Sequence, residues 1–227
     1  MDQSQFYMMG GQFEKVGGGA LKLSEIDFGV DPATAPTVDR QGAYKAVAQQ
    51  LRIAFVDQTG NTEYYYVKSA KGVAGWYANG SVLADPTIDA GLGFWYCNGA
   101  DENPKFNFAG EVMTDSPWVK TFDASFRMLV CPYPKAWTLA DITIEGLTEN
   151  VPTVDRGGAY KNTAFQIRVP FASQTGFTEY YYVKSAKGVE GWYANGSVFA
   201  EPSTVVIPAG RGCWFKAPQE ADVTFNF

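Results

Sequence analysis

The sequence predicts an all-β protein of two tandem, pseudo-equivalent β-sandwich or partly open barrel modules, and three observations carry this. A long segment recurs almost unchanged 116 residues downstream. Apolar residues alternate with period two over many short segments, whereas runs with 3.6 spacing are short and interrupted. Glycine, asparagine and proline punctuate the intervals between those segments. With 46% hydrophobic and only 19% charged residues, the 227-residue chain can bury a core in each half.

The repeat fixes the organisation. Thr62 to Val73 recurs as Thr178 to Val189, and Gly75 to Val82 as Gly191 to Val198. Upstream, Pro36 to Arg40 aligns with Pro152 to Arg156, and Gly42 to Lys45 with Gly158 to Lys161. Downstream three residues are inserted, so that Gly91 to Tyr96 matches Gly210 to Phe215, and Phe106-Asn107-Phe108 matches Phe225-Asn226-Phe227. The modules therefore span residues 1–112 and 113–227. Of the 47 positions from Pro36 to Val82, 36 are identical in the second copy, polar positions such as Glu63, Lys68 and Asn79 included. A shared core requires only pattern and volume. Either recent duplication or a shared surface presented to one kind of partner would explain the rest.

The elements follow in chain order. Phe6 to Val16, with Ser125 to Cys131 in copy two, and Ile26 to Val30, with Ile142 to Leu147, read as strands, separated by a weak short helix at Ala20 to Glu25 and Trp137 to Ile142. Leu51, Ile53 and Phe55 share one strand face, as do Ile167, Val169 and Phe171. Pro170 lacks an N–H, which predicts an edge strand or a bulge there. Tyr64 to Lys68 and Val73 to Tyr77 form a hairpin across Lys71-Gly72, and Asn79-Gly80 is the strongest short turn signal present. Leu92 to Cys97 and Lys105 to Phe108 complete the module.

Gly91-Leu92-Gly93-Phe94-Trp95, followed by Phe106-Asn107-Phe108-Ala109-Gly110-Glu111-Val112, resembles the terminal hairpin of tandem modules in secreted bacterial proteins of uncertain function. There a G-x-G-F/W element precedes a strand ending F-x-G-E-V. The likeness covers about 20 residues per copy, and Cys213 departs from it. It implies a surface-exposed β module and no activity.

Histidine is absent, which excludes histidine-based triads and zinc or iron sites within the chain. A net charge of −6 leaves no basic excess for nucleic acid. No apolar window is long enough for a membrane span. Met1 to Phe6 shows no signal-peptide pattern, so the chain is either cytoplasmic or a mature extracellular or cell-surface protein; the composition favours the latter. Three cysteines do not make a disulfide framework, and buried free thiols are expected. Asp85, Asp89, Asp101 and Glu102 invite calcium, but copy two offers only Glu201, Glu220 and Asp222, and no loop follows a calcium pattern. No metal or cofactor is expected. Paired carboxylates are the one enzyme option left, and two small repeated modules leave little room for the cleft it needs.

Alternation puts Tyr64, Tyr66 and Lys68 on one sheet face, read as exposed beside Trp76 and Tyr77. Tyr180, Tyr182, Lys184, Trp192 and Tyr193 repeat the arrangement. Such a surface would serve as a platform for a protein partner or for sugar rings, against the plainer reading of aromatic cross-strand pairs. Trp95 and Trp214 read as core or boundary residues, and Asp39-Arg40 and Asp155-Arg156 as turns held by an Asp–Arg pair or by capping. The expectation is a non-enzymatic structural protein acting by self-association or by contact with another surface protein. The alternative is a bivalent carbohydrate-binding module.

Overall fold

The computed structural model describes residues 6–54, 60–99, 109–113, 117–173, 175–195 and 202–225. It is all-β, with several sheets of which none closes among the described residues. Two compact units divide the chain, Met1–Met113 and Thr114–Phe227.

In the first unit six antiparallel strands lie in the order Phe6–Gly10, Gly93–Cys97, Gln50–Ala54, Asn61–Lys68, Ala74–Ala78, Val82–Leu83. In the second unit five antiparallel strands repeat this order: Arg127–Val130, Gly212–Lys216, Gln166–Pro170, Phe177–Lys184, Glu190–Ala194. A short pair, Leu21–Lys22 with Thr87–Ile88, has its counterpart in Trp137–Thr138 with Val206–Ile207. The second unit also carries a three-stranded sheet, Trp118–Phe122, Ala221–Phe225 and Ile142–Ile144. Phe122 of that sheet meets Phe215 of the five-stranded sheet edge to face at 5.1 Å. The strand read at Lys105 to Phe108 lies outside the described residues, as do Asn226 and Phe227 of its copy. Phe55, Asp101, Glu102 and Glu201 lie outside them too.

The hairpins form as the turn residues dictate. Ser69 N–H donates to Val73 O, and Gly72 N–H to Ser69 O, with Gly72 at φ +80°. Asn79 and Gly80 both take positive φ, 49° and 70°, and Ser81 N–H closes the turn onto Ala78 O.

Several expectations need correction. The segment at Ala20 to Glu25 is a strand followed by one 3₁₀ turn, Leu23–Glu25, and its counterpart at Trp137 begins as strand. Phe6 to Val16 is broken into Phe6–Gly10 and Phe13–Glu14, the latter pairing with Glu111–Val112. Gln166–Pro170 is an interior strand, not an edge. Its proline is tolerated because pairing with Gly212–Lys216 stops at Arg168. On the other side Phe171 N–H donates to Gly176 O, so position 170 would aim its missing N–H away from the hairpin partner, where no ladder continues.

The main core of the first unit gathers Leu21, Phe28, Leu51, Trp76, Ile88 and Phe94, among others, on one face of the sheet. The opposite face is also covered. Residues 36–48 fold back across it: Val38 N–H donates to Lys68 O, Lys68 N–H to Pro36 O, and the 3₁₀ turn Ala43–Ala46 sets Tyr44 against Tyr65, Val67 and Tyr77. The second unit repeats this with Tyr160, Tyr181, Val183 and Tyr193.

Gly80 and Gly72 separate two effects of adding a methyl group. At Gly72 only the left-handed backbone objects, since nothing lies within 4 Å, whereas at Gly80 the new Cβ would fall 1.8 Å from the Tyr44 hydroxyl. Gly72→Ala is expected to cost about 1 kcal/mol and Gly80→Ala about 3 kcal/mol, with urea midpoints ordered accordingly.

Candidate functional site

Consecutive strand residues point to opposite faces, so Trp76 and Tyr77 cannot share one platform, and the structure separates them. Tyr64, Tyr66 and Trp76 face the main core, while Tyr77 joins Tyr65 on the other side. The exposed aromatic surface is thereby corrected: Trp76, Tyr77, Tyr180, Trp192 and Tyr193 are buried, none more than 8% exposed. Tyr64, Tyr66, Lys68, Tyr182 and Lys184 are half-buried. The physical reason is that both faces of the central hairpin are covered, one by the core and one by residues 36–48. Tyr66 and Trp76 do meet, edge to face at 5.5 Å, and Tyr182 and Trp192 at 5.6 Å. Lys68 Nζ donates to Ala33 O, and Lys184 pairs with Glu190 at 2.9 Å.

The repeated Asp of Pro-Thr-Val-Asp-Arg caps the 3₁₀ turn. Ala43 and Tyr44 N–H groups donate to the Asp39 carboxylate, and Ala159 and Tyr160 to Asp155. Desolvation opposes the charge, yet these backbone donors outweigh it and hold both carboxyls below their ordinary value.

A polar quartet that sequence reasoning missed lies on the same covered face. Gln50 Nε2 donates to Tyr65 Oη at 3.0 Å, Tyr65 Oη donates to Glu63 at 2.7 Å, and Arg52 pairs with Glu63 at 3.0 Å. Gln166, Tyr181, Glu179 and Arg168 repeat it with closely similar distances. The guanidinium groups lie over Phe6 and Phe126 at 4.0 and 3.9 Å. Its signal was available: identical Gln-x-Arg and Glu-x-Tyr spacings on paired strands in both copies. Burial first, and then the Glu carboxylate, push the Tyr65 and Tyr181 phenols far up. Phenols of this kind are poor bases and nucleophiles, and the glutamates are already engaged, so the quartet tethers strands rather than offering reactive groups.

A cleft of about 600 Å³ in the first unit is walled by Phe28, Val30, Tyr66 and Trp76, with Asp27 and Asp85 at its polar side. Asp85 accepts from both the N–H and the hydroxyl of Ser24, at 2.9 and 2.8 Å, and Asp27 accepts from Gly29 N–H. These hydrogen bonds tie both carboxylates to the loops that border the cleft. Among the described residues no three Cys, Asp or Glu side chains gather as metal ligands. Among them, too, no helix is long and apolar enough to cross a membrane. Cys97, Cys131 and Cys213 are buried and form no disulfide with one another.

The raised phenols give a pH dependence with a definite sign. A group whose pKa is higher folded than unfolded keeps its proton in the native state while the unfolded chain loses it. Stability is therefore intact below about pH 10, the ordinary tyrosine value, and falls as pH rises beyond it. In urea titrations between about pH 8 and 11, spanning that value, the double variant Tyr65→Phe/Tyr181→Phe is expected to lose stability less steeply than the parent chain; parallel curves would contradict this assignment. Compared with protein-family models, curated proteins and solved structures, the chain matches none.

Proposed function

We propose that the chain is a non-enzymatic binding protein of two tandem β-sandwich modules whose first module takes a carbohydrate in the cleft beside Tyr66 and Trp76. The observation that carries this is the composition of the cleft: aromatic and aliphatic walls against which the C–H face of a sugar packs, with carboxylate acceptors on one side for its hydroxyls. The sandwich reading rests on the Phe122–Phe215 contact between two sheets of the second unit and on the matching strand order of the two main sheets. An extracellular setting is supported by the composition and by the resemblance of the terminal hairpin to modules of secreted proteins.

Carbohydrate binding takes precedence over self-assembly because the supports of the latter have changed. Trp76, Tyr77 and their copies are buried, the tyrosine stripe beside them is at best half-exposed, and the Pro170 strand is interior. One observation still favours self-association. The strand Val82–Leu83 forms the sheet edge of the first unit, with both side chains exposed, and exposed apolar edges recruit further strands.

A glycan array probed with the full chain is expected to give hits that Tyr66→Ala weakens at least tenfold, equivalent to about 1.4 kcal/mol. An array without hits would sink the carbohydrate reading. If light scattering then showed concentration-dependent growth that Leu83→Lys abolishes, the assembly reading would take its place.

A further inference from the structure

Beside the aromatic cleft, and sharing Val30 and Tyr66 with it, lies a second cavity of about 360 Å³ in the first unit. Gln49 and Asn98 line it. They are cross-strand neighbours, since the register Gln50 opposite Cys97 continues to place residue 49 opposite residue 98. Both are buried, at 6% and 0% exposed. Asn98 Oδ1 accepts from the Tyr96 hydroxyl at 3.3 Å. Asn98 Nδ2 and Gln49 Oε1, however, have no hydrogen-bond partner among the described residues. A buried donor and a buried acceptor left open side by side are costly unless something fills both.

The second unit has a corresponding cavity that lacks the Gln–Asn pair, its polar lining being Glu149, Asn150, Thr163 and Gln219 instead. Pro152, Thr163 and Tyr182 line a space of about 400 Å³ there, at the positions of Pro36, Val47 and Tyr66. The Tyr66 N–H donates to Gln49 O just as the Tyr182 N–H donates to Phe165 O, so the backbones correspond residue for residue. Phe165 stands at the position of Gln49, and Ala217 at that of Asn98. The apolar pair needs no partner.

We infer that the two modules are not equivalent, and that the Gln49–Asn98 cavity of the first module is a subsite for a pair of neighbouring hydroxyls on a neutral sugar, absent from the second module. One hydroxyl donates to Gln49 Oε1 while its neighbour accepts from Asn98 Nδ2, and Val30, Pro36 and Val47 cover the C–H face. The lining carries one charge, Asp31, and no cation, which disfavours an anionic ligand. This rests on the carbohydrate reading and narrows it to one module and one donor–acceptor pair.

The test is a ¹H–¹⁵N NMR titration of the full chain with glucose, galactose, mannose and N-acetylglucosamine in turn. At least one sugar is expected to shift the Asn98 side-chain amide and the Tyr66 backbone amide saturably. Gln49→Phe/Asn98→Ala, which installs the lining the second unit already accommodates, is expected to weaken that binding at least tenfold. The reverse variant, Phe165→Gln/Ala217→Asn, is expected to add a second set of saturable shifts around Tyr182, and decides the matter should the first variant not fold. Sugar shifts confined to Trp76 and Asp85, unchanged by Gln49→Phe/Asn98→Ala, would overturn the subsite and leave the carbohydrate reading standing. No shift with any sugar, together with a blank glycan array, would overturn both.

Discussion

The strand Asn61–Lys68, and its copy Phe177–Lys184, is covered on both faces, and the rest of each unit is organised around that constraint. One face presents Tyr64 and Tyr66 to the main core, and the other presents Tyr65 and Val67 to the folded-back residues 36–48. From Tyr64 to Val67 the strand has no solvent side on which substitution is cheap, because each of these side chains packs into one cluster or the other. The backbone is held in the same way. Lys68 exchanges hydrogen bonds with Pro36 and Val38 across a parallel bridge, Asp39 caps the turn that follows, and Tyr44 returns edge to face against Tyr65 at 5.5 Å.

This enclosure accounts for the uneven identity between the copies. The most similar stretch runs from the anchoring Pro36 to Val82 and comprises the covering segment, the central hairpin and the tight turns. The polar members Gln50, Arg52, Glu63 and Tyr65 recur because each is the partner of another. Removing one leaves a desolvated charge or donor behind, a heavier loss than a missing surface contact. Identity of this kind marks a cooperative structural unit and does not require a shared ligand. The places where the copies differ are then the informative ones. Gln49 against Phe165 and Asn98 against Ala217 change the polarity of one cavity while the flanking backbone hydrogen bonds stay the same.

Binding and stability are thus distributed over different residues. The quartet members bond one another and the Asp caps bond the backbone of the turns; of their buried side-chain atoms only Arg52 Nε has no partner among the described residues. The cleft by Trp76 and the cavity by Asn98 lie on the core side of the sheet, where the loops between Leu23 and Pro36 close over it. Loops on a rigid sheet are where a fold can vary its contacts without disturbing its core.

By itself the sequence determined the all-strand character, the repeat, the hairpin at Gly72 and the turn at Asn79-Gly80, because period-two alternation and positive-φ residues are local properties of the chain. It also determined what chemistry is excluded, since a chain without histidine cannot build sites that need one. Alternation could say that Tyr64 and Tyr65 face opposite ways, but not that both faces are covered. Which segment folds back over a sheet depends on contacts between residues far apart in the chain, and residues 36–48 show no strand or helix pattern that announces them. Only the tertiary structure decided that Pro170 sits in an interior strand, that the four polar residues interlock, and that Gln49 and Asn98 meet across a strand pair with one donor and one acceptor left open.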